Sequence, residues 1–164
     1  MADDKSSLDD CFNRLAQAMN EDEAQKIEEV IWRLWTSSGQ RLVDSLLSSA
    51  SNTMSNGQFA TALALLNGII EKVPNFAEGW NKRATLYYLI GEYDLAVSDI
   101  TQTLDLEPRH FGALSGLGMI YLHWSEKEKA LRAFEDALAV HPHLSGARSA
   151  VENIKKSLEQ KDHH

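Results

Sequence analysis

Apolar residues return every three or four positions along almost the whole chain, the spacing that lines one face of a helix. Leu8, Cys11, Phe12, Leu15, Ala16 and Met19 make one such stripe, and Ala24, Ile27, Val30, Ile31, Leu34 and Trp35 a second. Ser37, Ser38 and Gly39 then stop the pattern. Near the other end Leu144, Ala147, Val151, Ile154 and Leu158 form a narrower stripe, with Arg148, Glu152, Lys155 and Lys156 off it. Only three prolines and nine glycines interrupt 164 residues. So few breakers favour long helices over a strand-and-turn fold.

Between these ends the pattern repeats. Pro74, Pro108 and Pro142 are each 34 residues apart, as are Ala62, Ala96 and Ala130. Gly57, Gly91 and Ser125 share the spacing, and so do Leu66, Ile100 and Phe134, and Leu46, Trp80 and Leu114. Phe59 and Tyr93 begin a column that Lys127 breaks. The period is that of a helix–turn–helix repeat. Small residues such as Ala84 and Gly118 let the first helix of a repeat approach the second. Gly57 and Gly91 can take the left-handed backbone of a tight turn between the two helices. Proline fixes φ and lacks an N–H, so it ends the second helix and turns the chain into the next repeat.

These columns resemble the tetratricopeptide repeat family. The likeness is close in 77–110, where Trp80, Tyr87, Gly91, Tyr93, Ala96 and Pro108 fit its pattern. In 111–144, Leu117, Gly118, Tyr121, Ala130, Phe134, Ala137 and Pro142 do the same. The stretch 43–76 is weaker, keeping Gly57, Phe59, Ala62, Leu66 and Pro74 but carrying Ser49 and Thr53 at two core columns. The resemblance implies an all-α, right-handed α-solenoid in one structural domain. A degenerate helix pair at 6–36 would cap the first repeat. Repeats at 43–76, 77–110 and 111–144 would follow, with a capping helix at 145–160. Trp80, Tyr87 and Phe134 are expected between neighbouring repeats. Glu78–Thr85 and Arg109–Ala113 also look like a bacterial subgroup of stand-alone repeat proteins, many of which carry export signals.

In that fold the first helix of each repeat lines a concave groove. The groove positions are Asp44, Leu47, Ser51, Met54 and Ser55, then Glu78, Asn81, Thr85, Tyr88 and Leu89, then Gly112, Ser115, Met119, Leu122 and His123. Asn81 and Tyr88 could hydrogen-bond a peptide backbone, and Met54 and Met119 could adapt to apolar side chains. The groove could instead be filled in part by the N-terminal helices. Repeat domains that clamp acidic C-terminal tails need cations where this chain has Leu47, Ser51, Gly112 and Gly116, and Lys82 alone does not replace them. Arg83 takes a position that is apolar in the family, so it must reach outward or pair with a carboxylate such as Asp99.

Composition narrows the function further. Hydrophobic residues make up 43% of the chain, enough for a packed core. Net charge is −8, and residues 1–30 hold nine acids against three bases, which is −6 of it. An acidic chain repels phosphate backbones, so no nucleic-acid partner is expected. No apolar run approaches membrane-spanning length, so no insertion is expected. The polar start, Met1 to Lys5, lacks an apolar leader core. A cytoplasmic location follows if that start is native, an exported one if a leader has been removed; the final His163 and His164 read as a tag remnant. Cys11, the only cysteine, lies on an apolar stripe and reads as a buried thiol.

No catalytic constellation is visible, and neither cofactor nor metal is expected. His110, His123, His141 and His143 are irregularly spaced, and His141 suits a helix C-terminus. Asp99, Asp105 and Glu107 are expected on the outer face as solvated charges. The chain therefore reads as a non-enzymatic scaffold that binds a protein or peptide in its groove. The alternative is an assembly component, a homodimer for example, that docks through its ends or through Trp32 and Trp35.

Overall fold

The computed structural model describes residues 2–162, with side chains described for 5–161; Met1, His163 and His164 lie outside the described residues. All regular structure among the described residues is α-helical: α1 (Ala2–Ala16), α2 (Glu21–Trp35), α3 (Arg41–Ser55), α4 (Phe59–Lys72), α5 (Ala77–Leu89), α6 (Tyr93–Leu106), α7 (Phe111–His123), α8 (Lys127–Val140) and α9 (Ser145–Asp162). The helices fall into two compact units. One holds the chain up to Trp32 together with everything from Arg109 onward, and the other runs from Arg33 to Pro108.

In the central unit α3 packs on α4, α4 on α5, and α5 on α6. The two turns inside its helix pairs are closed alike. Gly57 has φ 76° and Gly91 φ 82°. Beyond them, Gln58 N–H donates to Thr53 O at 2.8 Å and Glu92 N–H to Tyr87 O at 2.8 Å. These bonds satisfy carbonyls that a helix end leaves orphaned. Pro74 and Pro108 each follow the last helical residue by two. The core around α3 and α4 joins Val43, Leu47, Ala50, Ala62, Leu66 and Ile69. Trp80 is only partly buried, less than its column implies, and its indole N–H donates to Pro74 O at 2.8 Å.

In the other unit α7 pairs with α8, α8 with α9, and α1 also touches α8. Ser125 closes the α7–α8 turn with φ 59°, a left-handed conformation in a residue that has a Cβ. Gly118 lets α7 come close to α8: a Cβ there would sit 2.7 Å from the Phe134 ring. Phe134, Ala130, Ala147, Val151 and Ile154 form the core against α9, as the C-terminal stripe predicts.

The residues up to Trp32 group with the chain from Arg109 onward. Helix α1 also ends before Met19, which is 84% exposed, while Ala18 is buried in its place. Asn20 starts α2 by accepting from Glu23 N–H at 2.9 Å, and Glu23 accepts in return from Met19 N–H at 3.1 Å. This reciprocal cap takes Met19 out of the apolar stripe.

Candidate functional site

The expected groove residues lie on α3, α5 and α7, but the helices do not present them equally. On α3, Leu47 is buried in the core, whereas Ser51 and Met54 are half-buried and Ser55 is exposed. On α5, Glu78 and Asn81 are buried, and Asn81 Nδ2 donates to Glu78 Oε1 at 3.0 Å. Asn81 is thus engaged with its own helix. Thr85 is exposed, and its hydroxyl donates to Asn81 O at 3.1 Å. Tyr88 packs edge-on against Tyr93, ring centroids 5.6 Å apart. Leu89 stands 54% exposed.

Two adjoining recesses open along α3 and α5. One, of about 440 Å³, is lined by Asp44, Leu47, Ser51, Asn52 and Lys82 together with Arg33, Thr36 and Ser37. The other, of about 210 Å³, shares Ser51 and Lys82 and adds Met54, Ser55 and Leu89. Both linings mix polar and apolar surface, and Met54 and Leu89 are the aliphatic side chains of the second. Arg33 belongs to this lining although its sequence position, near the end of α2, gave no sign of it.

On α7, Met119 and Leu122 are exposed at 46% and 38%, His123 is exposed, and the Ser115 hydroxyl is buried. Gly112 is covered: a Cβ there would meet Trp32 at 3.0 Å and His110 at 3.1 Å. The N-terminal pair therefore occupies the start of the α7 face. Trp32 lies edge-on to Phe111 and His110, at centroid distances of 5.7 and 5.3 Å. Arg109 pairs with Asp9 at 2.8 Å and lies over the Phe12 ring at 4.3 Å. His143 Nε2 meets Ala18 O at 2.8 Å. Trp35 is buried and Trp32 partly buried.

His110 and His141 have structural roles. His110 caps α7 by accepting from Ala113 N–H at 3.0 Å. His141 does more than meet a helix terminus, since its Nε2 lies 2.9 Å from Glu28 Oε2. That hydrogen bond holds the Glu28 carboxyl below the usual carboxylate range, outweighing the effect of burial. Cys11 is buried, and burial pushes its thiol up, so it is a poor nucleophile at neutral pH.

Arg83 pairs as expected. Its Nε donates to Asp99 Oδ2 at 2.7 Å, Nη2 to Oδ1 at 2.9 Å, and Nη1 to Asn67 Oδ1 at 2.9 Å. Trp80 and Tyr87 flank the guanidinium at 5.2 and 5.6 Å. Asp99 is 3% exposed, so the expectation of a solvated outer-face carboxylate is corrected. Arg83 thus ties α5 to α6 through Asp99 and to α4 through Asn67.

The tetratricopeptide repeat family model matches residues 49–100 and 83–143. The chain belongs to the tetratricopeptide repeat family. It is 34% identical to a TPR repeat-containing protein of Rhizobium etli, across 94% of this chain and 76% of that one. Among solved structures it resembles the Sgt2 TPR domain of Aspergillus fumigatus, with TM-score 0.70, 19% identity, and 76% and 84% of the two chains covered. It also resembles the first TPR of Spaghetti bound to an HSP90 peptide, with TM-score 0.67, 19% identity, and 71% and 93% covered. At such identities these two show the fold, an all-α helical repeat. No helix among the described residues is long and apolar enough to cross a membrane.

Proposed function

We propose that this TPR chain is a protein–protein interaction module that holds a partner segment along α3 and α5. The observation that carries this is the pair of adjoining recesses, where exposed Leu89 and half-buried Met54 stand with Ser51, Ser55 and Lys82. An extended segment could set an aliphatic side chain against Leu89 and Met54 while its backbone meets the Ser51 and Ser55 hydroxyls. The family has this use in general, and the similar Spaghetti domain is seen with a peptide. No nucleophile–base pair is assembled in these recesses, so binding is the chemistry they offer.

Affinity capture from a lysate of the native organism tests the reading, comparing wild type with Leu89→Glu. Leu89 is exposed, so circular dichroism should show an unchanged fold. A protein captured by wild type and lost by the variant supports binding at α3 and α5. A partner retained equally by both places the interface elsewhere and refutes the reading.

A further inference from the structure

The N-terminal helix pair docks on a receptor far along the chain. Glu28 and Trp32 lie one turn apart on α2 and act together. Glu28 Oε1 accepts from the Trp32 indole N–H at 3.2 Å, and Glu28 Oε2 lies 2.9 Å from His141 Nε2. The Trp32 ring stands edge-on to His110 and Phe111, and Gly112 puts no Cβ in its way. His110, Phe111 and His141 are fully buried. On α1, Asp9 meets Arg109, and beyond its end the Ala18 carbonyl meets His143. A carboxylate, a ring and a carbonyl of the pair thus each have a fitted counterpart among residues 109–143. Between the two segments, Arg33–Pro108 forms a compact unit of its own. None of these contacts requires the pair and the receptor to belong to one molecule, because a second copy presents the same atoms.

We infer that two copies of this chain exchange their α1–α2 pairs, each copy's Glu28 and Trp32 docking on the other's His110, Phe111 and His141. The hinge is the turn between α2 and α3, residues 36–40. Its course depends on Gly39, which has φ 83°, and on Asp44 Oδ1, which accepts from Ser38 N–H at 2.8 Å and from Ser38 Oγ at 2.6 Å. Nothing packs within 4 Å of the position a Gly39 Cβ would take, so one left-handed residue in open space sets the direction of the chain. Releasing it frees the pair while every docking contact is remade on the second copy. Within one chain the pair meets its receptor at an effective concentration of order millimolar. Exchange therefore gains as the protein approaches that concentration, or as the closed turn is strained. The recesses along α3 and α5 take no part, so the exchange stands apart from the proposed partner binding.

The test begins with size-exclusion chromatography and light scattering on the full chain, at concentrations rising to about millimolar. Gly39→Val has room for its side chain but disfavours the left-handed turn, so it should raise the dimer-to-monomer ratio roughly tenfold. Two further full-length variants separate exchange from simple surface association. Glu28→His sets two imidazoles against each other within its own chain, and His141→Glu sets two carboxylates. Exchange between the two variants instead places a carboxylate against an imidazole at both receptors. Refolded together from urea, with one chain isotope-labelled, they should give heterodimers over either homodimer by about tenfold in native mass spectrometry. Each variant is weakened alone, and the mixture repairs that weakness only through exchange. A mixture without heterodimers, or with heterodimers in merely statistical proportion, overturns the inference. So does a Gly39→Val chain no more dimeric than wild type.

Discussion

Replacing Gly118 by alanine should destabilise the protein, although alanine is the better helix former. Gly118 lies inside α7, and a Cβ there would approach three carbons of the Phe134 ring at 2.7, 2.7 and 2.9 Å. Ordinary carbon–carbon contact is nearer 3.5–4.0 Å. The ring therefore has to retreat by about 1 Å, yet it is 3% exposed and enclosed with Ala130, Ala147, Val151 and Ile154. Overpacking of this kind costs about 1–3 kcal/mol, and so tight an approach belongs near the upper end. The gain in helix propensity offsets about 1 kcal/mol of it. The net loss is about 2 kcal/mol, or a fall in Tm of about 4–8 °C for a chain of this size. Gly68→Ala is the control. That glycine lies within α4, and nothing stands within 4 Å of its missing Cβ, so the propensity gain of up to about 1 kcal/mol should appear there unopposed. Urea unfolding followed by circular dichroism measures both. The reasoning fails if Gly118→Ala is as stable as wild type, or if Phe134→Leu in its background relieves none of the loss.

Arg83→Met should cost about 3–5 kcal/mol by leaving the Asp99 carboxylate buried and unpaired. Adding Asp99→Leu should recover most of that in chemical denaturation; equal costs for the single and double variants would refute a structural pair. Glu28 has its folded pKa below the ordinary value of 4.5, so the unfolded chain holds the proton more tightly. Its contribution is therefore complete above about pH 4.5 and is lost as pH falls through the lower folded value. The stability gap between wild type and Glu28→Gln should accordingly narrow on acidification below that point, and a gap that widens would reverse the assignment. Ser125→Gly should raise stability by about 0.5–1 kcal/mol, because the left-handed backbone at φ 59° strains a residue with a Cβ. A loss on thermal melting would show that the serine side chain contributes more than the strain removes.

The repeat was legible in the sequence because each of its columns answers a local need. Gly57 and Gly91 do take positive φ, and Pro74, Pro108 and Pro142 do follow helix ends, since both demands are set by the backbone within a few residues. The stripe through Val151 and Ile154 likewise turns inward against α8, as periodicity alone predicts. The Arg83–Asp99 pair was legible for a related reason, because a charge at an apolar column has few ways to be tolerated. What periodicity could not supply was the neighbour chosen by an amphipathic face. The stripes of α1 and α2 reveal that these helices must pack, but an apolar face is non-directional and does not name its target. Glu28 meeting His141, Asp9 meeting Arg109 and Trp32 covering Gly112 are contacts across roughly a hundred residues or nearly that many, set by the tertiary arrangement. For the same reason Glu78 and Asn81, read as groove residues, are buried, while Arg33, which the pattern did not single out, lines a recess. The sequence by itself determined the repeat, the turns inside its helix pairs and most of the apolar faces, because those follow from local geometry. Only the tertiary structure decided which of the outward positions share a recess, because that depends on side chains brought together from helices far apart in the chain.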